Sequence, residues 1–195
     1  MRFLYIHGFN SAGYGEKVNY LRKAFGDENV IAVNLPYNPE KAVKLLEYLV
    51  KNLKEEPLIL VGSSLGGFYA VYLSYKYGNI SVLINPAVDA HIILRSEIGH
   101  QKNYKTDEEY EFTEENVRSL EKFYIPVEKL ENMKDRIYVY LDENDEVLDS
   151  RKTAEYFKDF NVKIFPGGDH SFKHMPELID HLRTILNMEG ENGKR

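Results

Sequence analysis

"LILVGSSLGGFYAVYL", residues 58–73, decides how the chain is read. Four apolar residues run into glycines and serines, and an apolar segment with helical spacing follows at once. The pattern Gly-x-Ser-x-Gly is met by Gly62, Ser64 and Gly66. Where a strand turns this sharply into a helix, side chains two before and two after the apex collide with their surroundings, and glycine at both places removes the conflict. Around Ser63 the same positions are Val61 and Leu65. Ser64 is therefore the serine held out, and Ser63 fills the strand end beneath it. The backbone N–H of Leu65, at the start of the helix, points where an oxyanion would develop. A P-loop fits badly, because its lysine should follow the second glycine of the motif and Phe68 follows Gly67.

Outward from the elbow, short β-rich runs alternate with helical patterns. Strands are predicted at 2–6, 29–35, 57–62, 80–85, 136–141 and 161–166, several of them continuously apolar as buried parallel strands tend to be. Helical spacing covers Lys17–Phe25, Pro39–Leu53, Leu65–Tyr77, Arg151–Phe160 and Pro176–Met188. Pro39 suits a first helical turn and Gly78 a helix stop. This alternation predicts one α/β domain over 1–195, a mostly parallel sheet with helices on both faces. Residues 87–131 break the rhythm with charges and scattered aromatics and no strong strand. They read as a small helical insertion, either an ordinary connection with its aromatics packed on the body or a lid over the carboxyl edge of the sheet, where open α/β sheets bind ligands.

Composition narrows the function. The chain has 195 residues, enough for one full core, and a formal net charge of −6, which disfavours nucleic acid as a partner. It contains no cysteine, so disulfides and thiolate metal sites are excluded. "MRFLYIHGF" is too short an apolar run for a signal peptide or a membrane span, and the expectation is a soluble, cytoplasmic protein.

A serine hydroxyl near neutral pH needs a base to take its proton and a third group to orient that base. On this kind of sheet the expected order is serine, acid, histidine, each after a strand. After "RIYVYL" comes "DENDEVLDS", residues 142–150. Asp145 is favoured as the acid because its loop can reach back over the sheet edge, with Asp142, abutting the strand, in reserve. Glu146 is expected to face away, and Asp149 to cap the following helix. A calcium loop is a poor fit, with Val147 at its sixth position and Thr153 at its twelfth. After "NVKIFP" comes "GGDHSF", residues 167–172, which places His170 in a strand-end loop freed by Gly167 and Gly168. An imidazole with an unperturbed pKa of roughly 6.5 can accept a proton there. Asp169 reads as a turn residue and His174 as a supporting one. His91, His100 and His181 read as unremarkable. His7 and Gly8 follow the first strand, where the N–H of Phe9 can serve as a second oxyanion donor and His7 can hold the loop. "GYGEKV", residues 13–18, begins like a dinucleotide fingerprint, but Val18 stands where the third glycine should be.

Together "YIHGFNS" (5–11), "VGSSLGGFYA" (61–70), "INPAV" (84–88), "DEVLDS" (145–150) and "GGDHSF" (167–172) resemble the α/β-hydrolase superfamily, and within it the compact bacterial YqiA-like esterases. The resemblance spans nearly the whole chain. It implies Ser64 as nucleophile, Asp145 as acid, His170 as base, and Phe9 and Leu65 as backbone oxyanion donors. It also implies carboxylic esters or acyl thioesters as small-molecule substrates, with no metal or organic cofactor. The chain departs from the family pattern at Asn144, where glycine usually precedes the acid. A hydrolase-fold protein that binds a ligand without turnover is the alternative.

Overall fold

The computed structural model describes residues 1–53 and 56–192. Six strands form one parallel sheet in the order β2-β1-β3-β4-β7-β8: β1 (Arg2–Ile6), β2 (Val30–Ala32), β3 (Leu58–Ser63), β4 (Ile80–Ile84), β7 (Ile137–Asp142) and β8 (Asn161–Phe165). The missing numbers belong to β5 (Gly99–Lys102) and β6 (Glu109–Phe112), an antiparallel pair outside the main sheet. Period-two alternation explains why the central strands are apolar throughout. In β3, Leu58 and Leu60 enter one core while Ile59 and Val61 enter the other.

The helices cover both faces. α2 (Pro39–Asn52) and α3 (Leu65–Tyr77) pack on the face that takes Leu4, Ile6, Leu83 and Val139. α1 (Glu16–Phe25) and α7 (Met175–Asn192) cover Phe3, Tyr5, Val82 and Tyr140. The expected boundary signals are present at both helices. Asn38 accepts from the Lys41 N–H at 3.0 Å with Pro39 in the first turn of α2, and Gly78 ends α3 in the left-handed region at φ 75°.

Three expectations need correction. Only 30–32 of the predicted strand 29–35 is paired, because β2 is an edge strand with β1 as its sole neighbour. α6 (Ser150–Tyr156) stops short of the predicted Phe160, and the chain turns there through a Phe160 N–H to Phe157 carbonyl bond of 2.9 Å. The segment 87–131 is not purely helical. Besides α4 (Ala90–Ile93) and α5 (Glu114–Leu120) it carries the β5–β6 hairpin: "GHQK" has no apolar side chain, and the alternation in "EYEF" spans only Tyr110 and Phe112, too short a run to stand out as a strand.

This hairpin is tied to the loop after β1. Asn10 donates to Gln101 at 2.8 Å and accepts from the Tyr110 hydroxyl at 2.6 Å, while Asn103 donates to the Ser11 carbonyl at 2.9 Å. Tyr110 also stacks on Tyr37, ring centroids 3.6 Å apart. Among the described residues no helix is long and apolar enough to cross a membrane.

Candidate functional site

The parallel register brings the carboxyl ends of β1, β3, β4 and β7 to one edge, with Ile6 opposite Gly62 and Ser63 opposite Ile84. Ser64 sits there at positive φ, 54°, with ψ −121°, a conformation that a non-glycine residue adopts only under constraint. The constraint is visible. The Ser64 N–H donates to the Ile84 carbonyl at 3.0 Å, and its own carbonyl accepts from Gly67 at 2.9 Å and Ala87 at 3.1 Å. A Cβ on Gly62 would collide with the Gly66 carbonyl, and one on Gly66 with the Ile6 carbonyl. Ser63 is buried beneath the turn.

The three residues singled out from the sequence meet above this edge. His170 Nε2 lies 3.2 Å from Ser64 Oγ, and its Nδ1 lies 2.8 Å from Asp145 Oδ2 and 3.0 Å from Oδ1. The Asp145 carboxylate is buried, with 1% of its side chain exposed, whereas 23% of His170 remains open to incoming molecules. Asp145 is oriented from behind: its Oδ1 accepts the N–H groups of Val147 and Leu148, each at 2.8 Å. Glu146 does not face away as expected. Its Oε2 accepts the His170 backbone N–H at 3.0 Å, because the 142–148 turn folds against the histidine loop through an Asn144 N–H to Gly167 carbonyl bond of 3.0 Å. Asp149 caps α6, accepting from Arg151 at 3.0 Å and Lys152 at 3.2 Å.

Asp142 belongs to a different pair. Fully buried, it accepts from His174 Nδ1 at 2.6 Å, from the Lys173 N–H at 2.7 Å and from the Asp169 N–H at 3.2 Å. Asn85 completes the arrangement: its amide donates to the carbonyls of Asp169 at 3.1 Å and His170 at 3.4 Å, and its oxygen accepts the Asp142 N–H at 2.9 Å. The loop bearing His170 is thus held by its amides on one side and its carbonyls on the other. Sequence reasoning missed Asn85. Its one signal is an asparagine closing an apolar strand immediately before a proline.

The loop after β1 lies against the elbow. A Cβ on Gly8 would come within 3.1 Å of Ser64 Cβ, so only glycine admits this approach without displacement. His7 accepts the Leu35 N–H on Nε2 at 2.9 Å, which leaves Nδ1 to donate to the Gly8 carbonyl at 2.8 Å. Burial pushes its pKa below the ordinary value, with the Gly8 carbonyl opposing, so His7 is a neutral brace for this loop. Leu65 is the first residue of α3, where an amide has no intrahelical acceptor, and the Phe9 N–H has no acceptor among the described residues. His91 packs on Phe68 and Tyr124, His100 lies 3.6 Å from Glu109, and His181 meets the Tyr140 hydroxyl at 2.9 Å. Among the described residues no group of three or more His, Asp or Glu side chains could hold a metal ion.

A family model described as "Uncharacterised protein family (UPF0227)" matches residues 2–189. The chain belongs to the UPF0227 family. A UPF0227 protein of Serratia proteamaculans is 26% identical over 191 residues, covering 95% of this chain and 98% of that protein. One from Pasteurella multocida is 24% identical over 188 residues, 93% and 96% of the two chains. Among solved structures, Est1E from Butyrivibrio proteoclasticus superposes with a TM-score of 0.73 at 14% identity, over 99% of this chain and 88% of that one. A monoacylglycerol lipase of Paleococcus ferrophilus gives 0.68 at 14% identity, over 95% and 93%. Mouse alpha/beta hydrolase domain-containing protein 10 gives 0.69 at 16%, over 95% and 89%. At such identities the likeness establishes that this UPF0227 member has the α/β-hydrolase fold.

Proposed function

We propose that the protein is a serine hydrolase that cleaves small-molecule carboxylic esters or acyl thioesters through an acyl-enzyme. One observation carries this reading: the continuous hydrogen-bonded series from Ser64 Oγ through His170 to the buried Asp145 carboxylate. In the mechanism, Ser64 attacks the carbonyl as His170 Nε2 accepts its proton, and Asp145 stabilises the imidazolium. The N–H groups of Phe9 and Leu65 receive the oxyanion. His170 then protonates the leaving alcohol or thiol, and water activated by the same imidazole releases the acid. The monoacylglycerol lipase among the fold relatives supports the choice of ester chemistry.

A fluorophosphonate probe tests it. Wild type should label stoichiometrically and hydrolyse p-nitrophenyl esters or acyl thioesters. Ser64→Ala and His170→Ala should lose both by about 10³-fold or more. A folded wild type that neither labels nor turns over any ester would refute the reading in favour of ligand binding without catalysis.

A further inference from the structure

The cavities of the domain differ sharply in size and chemistry. The crevice lined by Phe68, Val71, Tyr124, Ile125, Tyr156 and Phe157 holds about 10 Å³, and the one between His7, Phe9, Tyr69 and Tyr110 about 20 Å³. Each has room for about one water molecule, too little for an acyl chain. A wider groove lined by Tyr37, Lys41, Glu108 and Asn116 reaches neither Ser64 nor His170. The space that does have Ser64 and His170 in its wall is about 210 Å³, and its remaining lining is largely polar: Ser11, Tyr14, Glu16, Lys17, Tyr104 and Lys105 among others.

Two ammonium groups against one carboxylate give this wall a positive balance, in a chain whose formal net charge is −6. Neither lysine is spent elsewhere. Among the described residues neither Lys17 nor Lys105 is in an ion pair, whereas nearby Asp169 is engaged by Lys173 at 3.1 Å. The Lys105 ammonium reaches to 3.8 Å from where a Cβ on Gly15 would stand, at the start of α1. Burial pushes the Lys17 ammonium below its usual pKa; Glu16 and Asp169 oppose this, and the Lys105 charge reinforces it. A half-buried cation with no ion-pair partner among the described residues, in one wall with a second cation, is a costly arrangement, and an anion entering this space would relieve it.

We propose that Lys17 and Lys105 form an anion-recognition subsite, and that the preferred ester or thioester carries a negatively charged group beyond its reacting carbonyl. This rests on the hydrolase reading given above. Lys105 comes from the turn of the β5–β6 hairpin and Lys17 from α1, so the subsite lies between the insertion and the body of the domain.

Three esters test it: phenyl butyrate, 4-sulfophenyl butyrate with the anion on the leaving group, and phenyl 4-sulfobutyrate with the anion on the acyl half. Sulfonate cannot assist its own hydrolysis as a neighbouring carboxylate would. For wild type, kcat/KM for one sulfonated ester should exceed that for phenyl butyrate by about tenfold, as one charge-assisted contact allows. Whichever ester shows the preference identifies the half of the substrate the subsite holds. In Lys17→Met/Lys105→Met the ratio of sulfonated to neutral kcat/KM should fall about tenfold. Lys17→Arg/Lys105→Arg should retain the preference at least in part. Hydrolysis of phenyl butyrate with no sulfonate preference, or a preference that survives in the methionine variant, overturns the subsite and leaves the hydrolase reading standing. Failure to turn over any of the three, together with no fluorophosphonate labelling, overturns both.

Discussion

Two aspartates on one turn, each bonded to a histidine, should respond to substitution in opposite ways. Asp142 receives two short hydrogen bonds, 2.6 and 2.7 Å, and a longer one of 3.2 Å, all from the 169–174 loop. Asp142→Ala strands those partly buried donors. At about 1–3 kcal/mol for each of the two short bonds, the loss is about 2–6 kcal/mol, a large part of a typical stability of about 5–15 kcal/mol. At about 2–4 °C per kcal/mol for a domain of this size, a central loss of about 4 kcal/mol lowers Tm by about 8–16 °C. Asp142→Asn should recover much of this, since its oxygen can accept the two amides and His174 can change tautomer to accept from its NH₂. Asp145→Asn should do the reverse. Its oxygen still accepts from Val147 and Leu148, so Tm should move by about 2 °C or less, but an NH₂ facing His170 Nδ1 imposes the wrong tautomer. Fluorophosphonate labelling should then slow by about 10³–10⁴-fold. Differential scanning fluorimetry and labelling rates measured on the same samples read both effects. If Asp145→Asn labelled at the wild-type rate, or Asp142→Ala silenced labelling with an unchanged Tm, the division of roles would be wrong.

Three further outcomes are expected. Gly66→Ala should destabilise far more than Gly78→Ala. The first drives a Cβ into the Ile6 carbonyl, while the second meets no atom and bears only the left-handed backbone penalty of about 1–2 kcal/mol; chemical denaturation compares them. Because His7 is buried with a lowered pKa, its unfolded form binds a proton that the folded form resists. Stability should therefore be full above about pH 6.5 and decline as pH falls below it, and His7→Gln should flatten that part of a urea-midpoint profile. Asn85→Ala removes the donor to two loop carbonyls and the acceptor for the Asp142 N–H. It should lower Tm and slow labelling together, by about 2–4 °C per kcal/mol lost for the first and about tenfold for the second.

Legibility in the sequence followed burial. β3 and β4 stood out because both faces of each strand are covered, which leaves an unbroken apolar run. The elbow was readable because two glycines are demanded by collisions with backbone atoms, and no other residue substitutes. The β5–β6 pair was not, since "GHQK" is held by its partner strand and by a side-chain bond from Asn10 to Gln101, not by burial. Asn85 and Glu146 were equally hidden: each acts through bonds to loop backbone more than twenty residues away in the chain, and no local pattern encodes such partners. The choice between Asp142 and Asp145 rested on loop reach alone, and what separates them is which histidine each meets.

The β5–β6 hairpin bonds to the rest of the chain chiefly through side chains, not by adding strands to the main sheet. Residues at its turn can therefore be exchanged, or the turn lengthened, without shifting the alignment of any of the six parallel strands. Ser64, Asp145 and His170 stand on that inner frame, and Tyr104 and Lys105 on the appended ribbon. The part of the molecule that would break a bond and the half of the entrance wall that the ribbon supplies are thus mechanically separable, and that half can diverge among relatives while the triad and Lys17 on α1 stay put.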